Sequence, residues 1–155
     1  MKPTKCKMLV TSGVLIISFL SLVILLVGQI SAQDKDKPSS PEASKLAKDL
    51  IGTWILVGTP DEVGEIPDKG GRLKFITGRH WTITQADPNT GLVIFHHGGT
   101  YTLDGNEYVE KIEYANENTK QLINKTLKHK IKVEKDTYTQ IGVGNPYTEV
   151  WKRLK

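Results

Sequence analysis

The sequence predicts an antiparallel all-β domain entered through one short helix, and three observations carry that expectation. From Gly52 onward, short β-branched and aromatic runs recur roughly every eight to twelve residues, separated by turn-forming groups. Within the runs, apolar and polar residues alternate, as half-buried strands require. No period of internal repetition is visible, which speaks against a propeller or a solenoid. A meander punctuated in this way closes into a barrel or folds as a sandwich.

Taken in order, the chain begins with an apolar segment behind positive charge. Lys2, Lys5 and Lys7 form a basic leader, and residues 8–33 carry no charge; within 8–27, fifteen of twenty residues are Val, Leu, Ile, Met or Phe. Ser31 and Ala32 are small enough for signal-peptidase cleavage, so residues 1–32 are expected to be a signal peptide. The alternative is an uncleaved membrane anchor, because about twenty helical residues reach roughly 30 Å. With the lysines held inside, either reading places the rest of the chain outside the cytoplasm, secreted or periplasmic. Cys6 precedes the apolar run, the wrong place for a lipoprotein anchor.

That segment also accounts for most of the net charge. The whole chain has 21 Lys+Arg against 17 Asp+Glu, a formal charge of +4. Residues 1–32 hold three of the lysines, the single Cys and both Met, so the remaining 123 residues carry 18 basic and 17 acidic groups and no sulfur. A near-neutral chain with no basic stripe does not hold nucleic acid by counter-ion release. The lack of Cys excludes disulfides, a thiol nucleophile and Cys-ligated zinc or iron–sulfur sites from this part. Its length suits one domain with a real core.

Residues 33–41 read as a polar linker, since Asp34–Pro41 is too charged and too Pro-broken to pack. A short helix is expected from Pro41 or Glu42 to about Leu50, with Ser40 as N-cap, Pro41 at the first position, and Leu46, Leu50 and Ile51 as its apolar stripe. The domain itself is expected to span 42–155. Its strands fall near 53–58, 71–77, 80–86, 92–97, 99–103, 107–115, 126–134, 137–142 and 147–154. Turns lie at Pro88-Asn89-Thr90-Gly91, Asp104-Gly105-Asn106, Glu134-Lys135-Asp136 and Gly144-Asn145-Pro146. The stretches 59–70 and 116–125 are longer connections.

Period-two alternation assigns the faces. Leu127, His129, Ile131 and Val133 share one face of 126–133, opposite Thr126, Lys128, Lys130 and Lys132, so His129 points inward. Tyr108, Glu110, Ile112 and Tyr114 share a face of 107–115. In the last strand Tyr147, Glu149, Trp151 and Arg153 alternate with Thr148, Val150, Lys152 and Leu154, and either set can be the core side.

Gly52-Thr53-Trp54 opens the first strand straight after a helix, and Trp151-Lys152-Arg153 lies in the last. This pattern resembles the lipocalin signature of the calycin superfamily. The segments 98–110 and 149–153 likewise resemble a bacterial lipocalin-like family of uncharacterised secreted domains. The resemblance covers about residues 45–155 and implies an antiparallel up-and-down β-barrel of about eight strands with a short N-terminal helix. It further implies that Gly52 and Trp54 close one end of the barrel, with Arg153 packed over the indole; such a cation–π contact is worth about 0.5–2 kcal/mol. The Thr-Asp-Tyr motif of lipocalins is not found between the later strands.

An eight-strand barrel is just wide enough for one small ligand. A buried carboxylate or imidazole needs a partner or a wet cavity. Two readings therefore stand for the inward polar residues. In one, Tyr108, Tyr114, Tyr147 and Trp151 line a ligand pocket oriented by Glu110, His129 and Glu149; in the other, these groups pair within a packed core, with Arg153 a partner. His96 and His97 are adjacent and point to opposite faces, so both can bind one metal only at a bulge, which Gly98-Gly99 would permit. Both are expected to be exposed and unliganded, with zinc or haem binding the minor alternative, and neither a metal nor a cofactor is expected. Ser39, Ser40 and Ser44 are the only serines after residue 32, and all precede the barrel, so no serine nucleophile is set up. Gly142-Val143-Gly144 reads as a turn, and Asn124-Lys125-Thr126 matches the glycosylation sequon.

The expected function is non-catalytic binding of a small hydrophobic or amphipathic ligand by a monomeric extracytoplasmic barrel that meets a membrane only through its N-terminal segment. One alternative is a protein-binding barrel acting through loops 59–70 and 116–125. A second is a small enzyme using the carboxylates of Glu110 and Glu149.

Overall fold

The computed structural model describes residues 41–155. The expectations for residues 1–32, for the linker up to residue 40 and for Ser40 as an N-cap lie outside the described residues. The chain runs through helix α1 (Pro41–Leu50) and strands β1 (Gly52–Thr59), β2 (Glu62–Val63), β3 (Leu73–Ile76), β4 (His80–Ala86), β5 (Val93–Asp104) and β6 (Glu107–Ala115). A 3-10 helix (Glu117–Leu122) leads to β7 (Thr126–Glu134), β8 (Thr137–Gly142) and β9 (Glu149–Leu154). Every neighbouring pair is antiparallel, and β9 pairs back onto β1, which closes eight strands into a barrel. β2 is a two-residue addition hydrogen-bonded to the end of β1. The runs at 92–97 and 99–103 form the single strand β5, which continues through Gly98 and Gly99.

Local chemistry makes the turns. Asp87 Oδ1 accepts from the Asn89 and Thr90 amides at 3.0 and 2.7 Å, and Gly91 takes φ +73° to start the return into β5. Gly105, at φ +56°, turns β5 into β6. Asn145 Nδ2 donates to Lys128 O at 2.8 Å while its Oδ1 accepts the Tyr147 amide, which pins the β8–β9 loop to β7.

The barrel interior is filled with large side chains. Trp54, Trp81, Trp151, Tyr108, Tyr138, Ile76, Ile83, Ile112 and Ile131 are buried there. α1 closes one end with Leu50 fully buried and Leu46 packed against the same cluster, whereas Ile51 leaves the stripe and is exposed. The two parities of the last strand both find apolar cover. Trp151 faces the interior, while Val150 joins Ile55 and Val57 in a second cluster, with Leu73 and Leu154 packed against it. On that side, Gly71 lies so close that a Cβ would stand 2.6 Å from Ile55 Cδ1 and 3.0 Å from Pro67 Cγ. The long connection after β2 therefore lies against β1 at this point.

One register change corrects the face assignment in β6. Gly98 pairs with Tyr114 but Gly99 pairs with Ile112, so Glu113 is an extra residue and a bulge reverses the parity after it. Tyr108, Glu110 and Ile112 remain buried, but Tyr114 turns outward and is exposed. Its ring lies over Gly98, whose missing Cβ would stand 2.4 Å from the Tyr114 hydroxyl oxygen.

The closed end depends on a three-residue contact. The Trp54 indole Nε1 donates to Leu50 O at 2.9 Å, which satisfies one of the free carbonyls at the end of α1. The Arg153 guanidinium lies 4.1 Å from the Trp54 ring centroid and donates to the Ile51 and Asp49 carbonyls. Gly52 has φ +154°, and a Cβ on it would sit 2.3 Å from Arg153 Nη1. The glycine of Gly-x-Trp is thus the space through which the arginine reaches the indole. Trp54→Ala is expected to cost about 3–5 kcal/mol in urea unfolding, the usual loss for a buried Trp. Gly52→Ala is expected to destabilise too, and by less in an Arg153→Ala background than in the native one, because the clash partner is then gone. Equal costs in the two backgrounds would contradict this contact.

Candidate functional site

The site begins with an unusual residue for a barrel interior. β3 carries Arg72-Leu73-Lys74-Phe75-Ile76 at and before its start, and the pleat sends Lys74 and Ile76 inward while Phe75 is exposed. The Lys74 side chain is fully buried, with its Nζ 2.6 Å from Glu110 Oε1 and donating to Gln140 Oε1 at 2.8 Å. Four aromatic rings surround the ammonium: Trp81, Tyr108, Tyr138 and Trp151 have centroids 5.3 to 5.5 Å away. Cation–π attraction and a paired carboxylate are what allow a charge to persist in such a place.

The network continues toward the end of the barrel opposite α1. The Tyr138 hydroxyl donates to Gln140 Oε1 at 2.7 Å, so that oxygen serves two donors and the Gln140 amide nitrogen faces Glu149, donating to Oε2 at 2.7 Å. His129, on β7, brings Nε2 to 3.6 Å from Glu110 Oε2. Among the described residues its Nδ1 has no hydrogen-bond partner, nor does Nδ1 of His97 on β5. His97 is therefore buried, between Trp81 and Phe95 at 5.4 and 4.9 Å, which corrects the expectation that both members of the His96-His97 pair are exposed. His96 points to the other face, beside Tyr114.

These polar groups floor a cleft. Arg72, Ile83, Phe95 and His97 line one side; Leu127, His129, Tyr147 and Glu149 line the other, over Glu110 and Gln140. It holds about 300 Å³ of atom-free space with its mouth, but only about 20 Å³ is roomy enough for water centres, about one water's worth. A wider, shallow depression of about 680 Å³ lies outside the barrel, between Gly64–Ile66 and the end of β9. Asp136 and Lys155 there are exposed and pair at 3.0 Å, so it presents solvated charge and no buried polar floor.

The residues expected to bind ligand divide accordingly. Glu110, His129, Tyr147 and Glu149 meet at the cleft. Tyr108 and Trp151 are buried deeper, around Lys74, and Tyr114 is on the outside. Sequence reasoning missed Lys74, Gln140, Arg72 and His97. A signal for Lys74 was present: an inward Glu110 needs a cation, and in 72–76 the lysine shares its face with Ile76.

A closed antiparallel barrel of eight strands, plugged at one end by a short helix and open at the other onto a polar cleft, defines a lipocalin-like β-barrel domain. Among solved structures the fold is similar to a lipocalin-like protein from Bacteroides uniformis, with a TM-score of 0.50 and 14% identity, over 68% of this chain and 99% of that one. It is also similar to an uncharacterized protein from Bacteroides eggerthii, with a TM-score of 0.48 and 12% identity, over 67% and 98% of the respective chains. At such identities the likeness is one of fold. No family model matches the sequence, and no curated protein matches it.

The electrostatics of the cleft set a pH dependence. Burial pushes the Glu110 carboxyl up, but Lys74 and His129 outweigh it and hold the group below its ordinary range. Its stabilising contribution is present above about pH 4.5 and is lost as pH falls through the lowered folded value. Burial lowers His97 to about 4, so the unfolded chain takes up that proton first and stability declines from about pH 6.5 downward. Glu149 runs the other way. Burial raises it, with Lys74 and Arg72 opposing, so ionising it costs the folded state and stability recovers as pH falls through its raised value. Glu149→Gln, which keeps an acceptor for Gln140, is therefore expected to be more stable than the native chain at pH 7, with the gain shrinking toward pH 4.5. Urea melts across that range check this; a gain that does not change with pH would contradict it.

Proposed function

We propose that this domain is a non-catalytic binding protein that holds a small, partly apolar molecule at the open end of its barrel. The observation that carries the reading is the cleft floor. Two buried imidazoles there have nitrogens without partners, beside a half-buried carboxylate, Glu149, that makes no salt bridge among the described residues. Buried polar groups left in this state are stabilised when a bound group completes their hydrogen bonds. Ile83, Phe95 and Leu127 on the walls suit an apolar portion of the same molecule. The lysine-flanked apolar segment at 1–32 supports an extracytoplasmic setting, secreted or periplasmic, and the protein acts there as a monomer.

A protein-binding role is the second reading. It is favoured by apolar exposure on connecting segments: Leu92 and Val93 beside the β4–β5 turn are 69% and 55% exposed, and Val63, Ile66 and Ile123 are exposed as well. The enzyme reading is weakened by Lys74, which neutralises one member of the Glu110 and Glu149 pair.

Native mass spectrometry of the chain purified from its own compartment, with thermal melting against a panel of small amphipathic molecules, tests the proposal. The expected result is a small adduct released on unfolding, or a panel member that stabilises the fold by about 2.7 kcal/mol at a hundred times its Kd. No adduct and no stabilisation across the panel, with capture of a protein partner instead, would move the function to the second reading.

A further inference from the structure

Of the cations at the open-end cleft, one has no partner of opposite charge among the described residues. Lys74 is neutralised by Glu110 and sealed from solvent. Arg72 makes no salt bridge among the described residues; its Nε donates to Gln85 Oε1 at 3.1 Å, and its guanidinium carbon lies 4.0 Å from the Phe95 ring centroid. Gln85 is itself held, its Nε2 donating to Gly70 O at 3.0 Å. Phe95 lies against the guanidinium and Gln85 takes its Nε, which leaves the paired Nη groups without a hydrogen bond among the described residues, a fork free for a ligand. Such a fork matches a planar carboxylate through two parallel hydrogen bonds. Glu149 lines the same cleft, also without a salt bridge, and is fixed through Oε2 by Gln140.

We propose that the cleft is the receptor for a small free organic carboxylate, with the Arg72 fork taking the anionic head and Glu149 taking up one proton from solvent as it enters. This rests on the ligand-binding reading above and names the head group. The charges balance: one anion and one proton enter together, so the net charge of the cleft is unchanged. The enclosed space, about that of one water, admits at most a head-group oxygen and leaves the rest of the ligand in the wider mouth beside Phe95. Ile83, Phe95 and Leu127 line that region, so a free acid with an apolar body suits it better than a peptide C-terminus, whose adjoining amide would lie against apolar walls.

The groups facing Glu149 agree with proton uptake there. Gln140 meets it from β8, Lys74 from β3, Arg72 from just before β3, Glu110 from β6 and His129 from β7. Burial already raises the Glu149 carboxyl, and Lys74 and Arg72 are the main cations resisting this. An anion on Arg72 offsets that positive charge with its own negative charge, which favours the protonated form. His97, which faces the cleft from β5, is held to about 4 and stays neutral above pH 5.

Calorimetric titration of the purified chain with benzoate, butyrate, the neutral isostere benzamide and the dipeptide acetyl-Ala-Phe, between pH 5 and pH 7, tests this. Benzoate and butyrate are expected to bind, benzamide not, and carboxylate affinity should rise by up to about tenfold per pH unit as pH falls. Arg72→Gln should lose carboxylate binding, and Glu149→Gln should keep it with the pH slope gone. Benzamide binding as tightly as benzoate would overturn the carboxylate assignment while leaving the ligand-binding function standing. So would panel molecules that bind when neither carboxylate does. A slope that persists in Glu149→Gln would overturn the proton coupling, and tighter binding of the dipeptide than of benzoate would overturn the free-acid source.

Discussion

The Lys74 ammonium, buried at the centre of the barrel, constrains everything packed around it. A charge of that kind costs several kcal/mol in an apolar interior unless it is paired and hydrogen-bonded. Glu110 supplies the counter-charge at 2.6 Å and Gln140 a second acceptor at 2.8 Å. Trp81, Tyr108, Tyr138 and Trp151 supply ring faces on the remaining sides. These six residues come from β4, β6, β8 and β9, so satisfying one lysine from β3 fixes the mutual register of five strands. The same arrangement fills the middle of the barrel, which is why space for a ligand is confined to the open end.

The two ends then do different things with similar chemistry. At the closed end, Arg153 lies on Trp54 and uses its hydrogen bonds on the last carbonyls of α1, so its charge is absorbed by the fold. At the open end, Arg72 lies on Phe95 but, among the described residues, uses only Nε for a hydrogen bond. One arginine is a structural lid and the other an available donor, and the difference lies in what each has left over. Glu110 and Glu149 divide in the same way, the first held ionised by Lys74 and the second raised by burial without a salt bridge.

Much of this was legible in the sequence where alternation was unbroken and the polar face was unmistakable. Lys128, Lys130 and Lys132 on one side of β7 placed His129 inside, and Glu110 followed from its tyrosine and isoleucine neighbours. The helix, the Gly-x-Trp opening and the barrel strands were legible for similar reasons. The failures have physical causes. Lys74 was read past because a lysine flanked by Leu73 and Phe75 looks solvent-facing until Glu110 demands a cation. Tyr114 was assigned inward because a one-residue bulge leaves no mark in local alternation beyond the paired glycines opposite it. His97 is buried because adjacent strand residues take opposite faces: it points inward, while His96 is half-buried on the other face beside Tyr114. Val150 and Trp151 both pack because Ile55, Val57, Leu73 and Leu154 form a second apolar cluster around Val150, which composition alone does not announce.

The pairing of Lys74 with Glu110 is the central claim, and a double-mutant cycle measured by equilibrium unfolding tests it most directly. Glu110→Ala alone is expected to lose about 3–5 kcal/mol by stranding a buried ammonium. Lys74→Met, alone and combined with Glu110→Ala, completes the cycle; the double variant removes both charges and is expected to recover much of that loss, giving a coupling energy well above the exposed-pair range of about 0–1 kcal/mol. A double variant no more stable than Glu110→Ala, with the two single costs simply adding, would contradict the account.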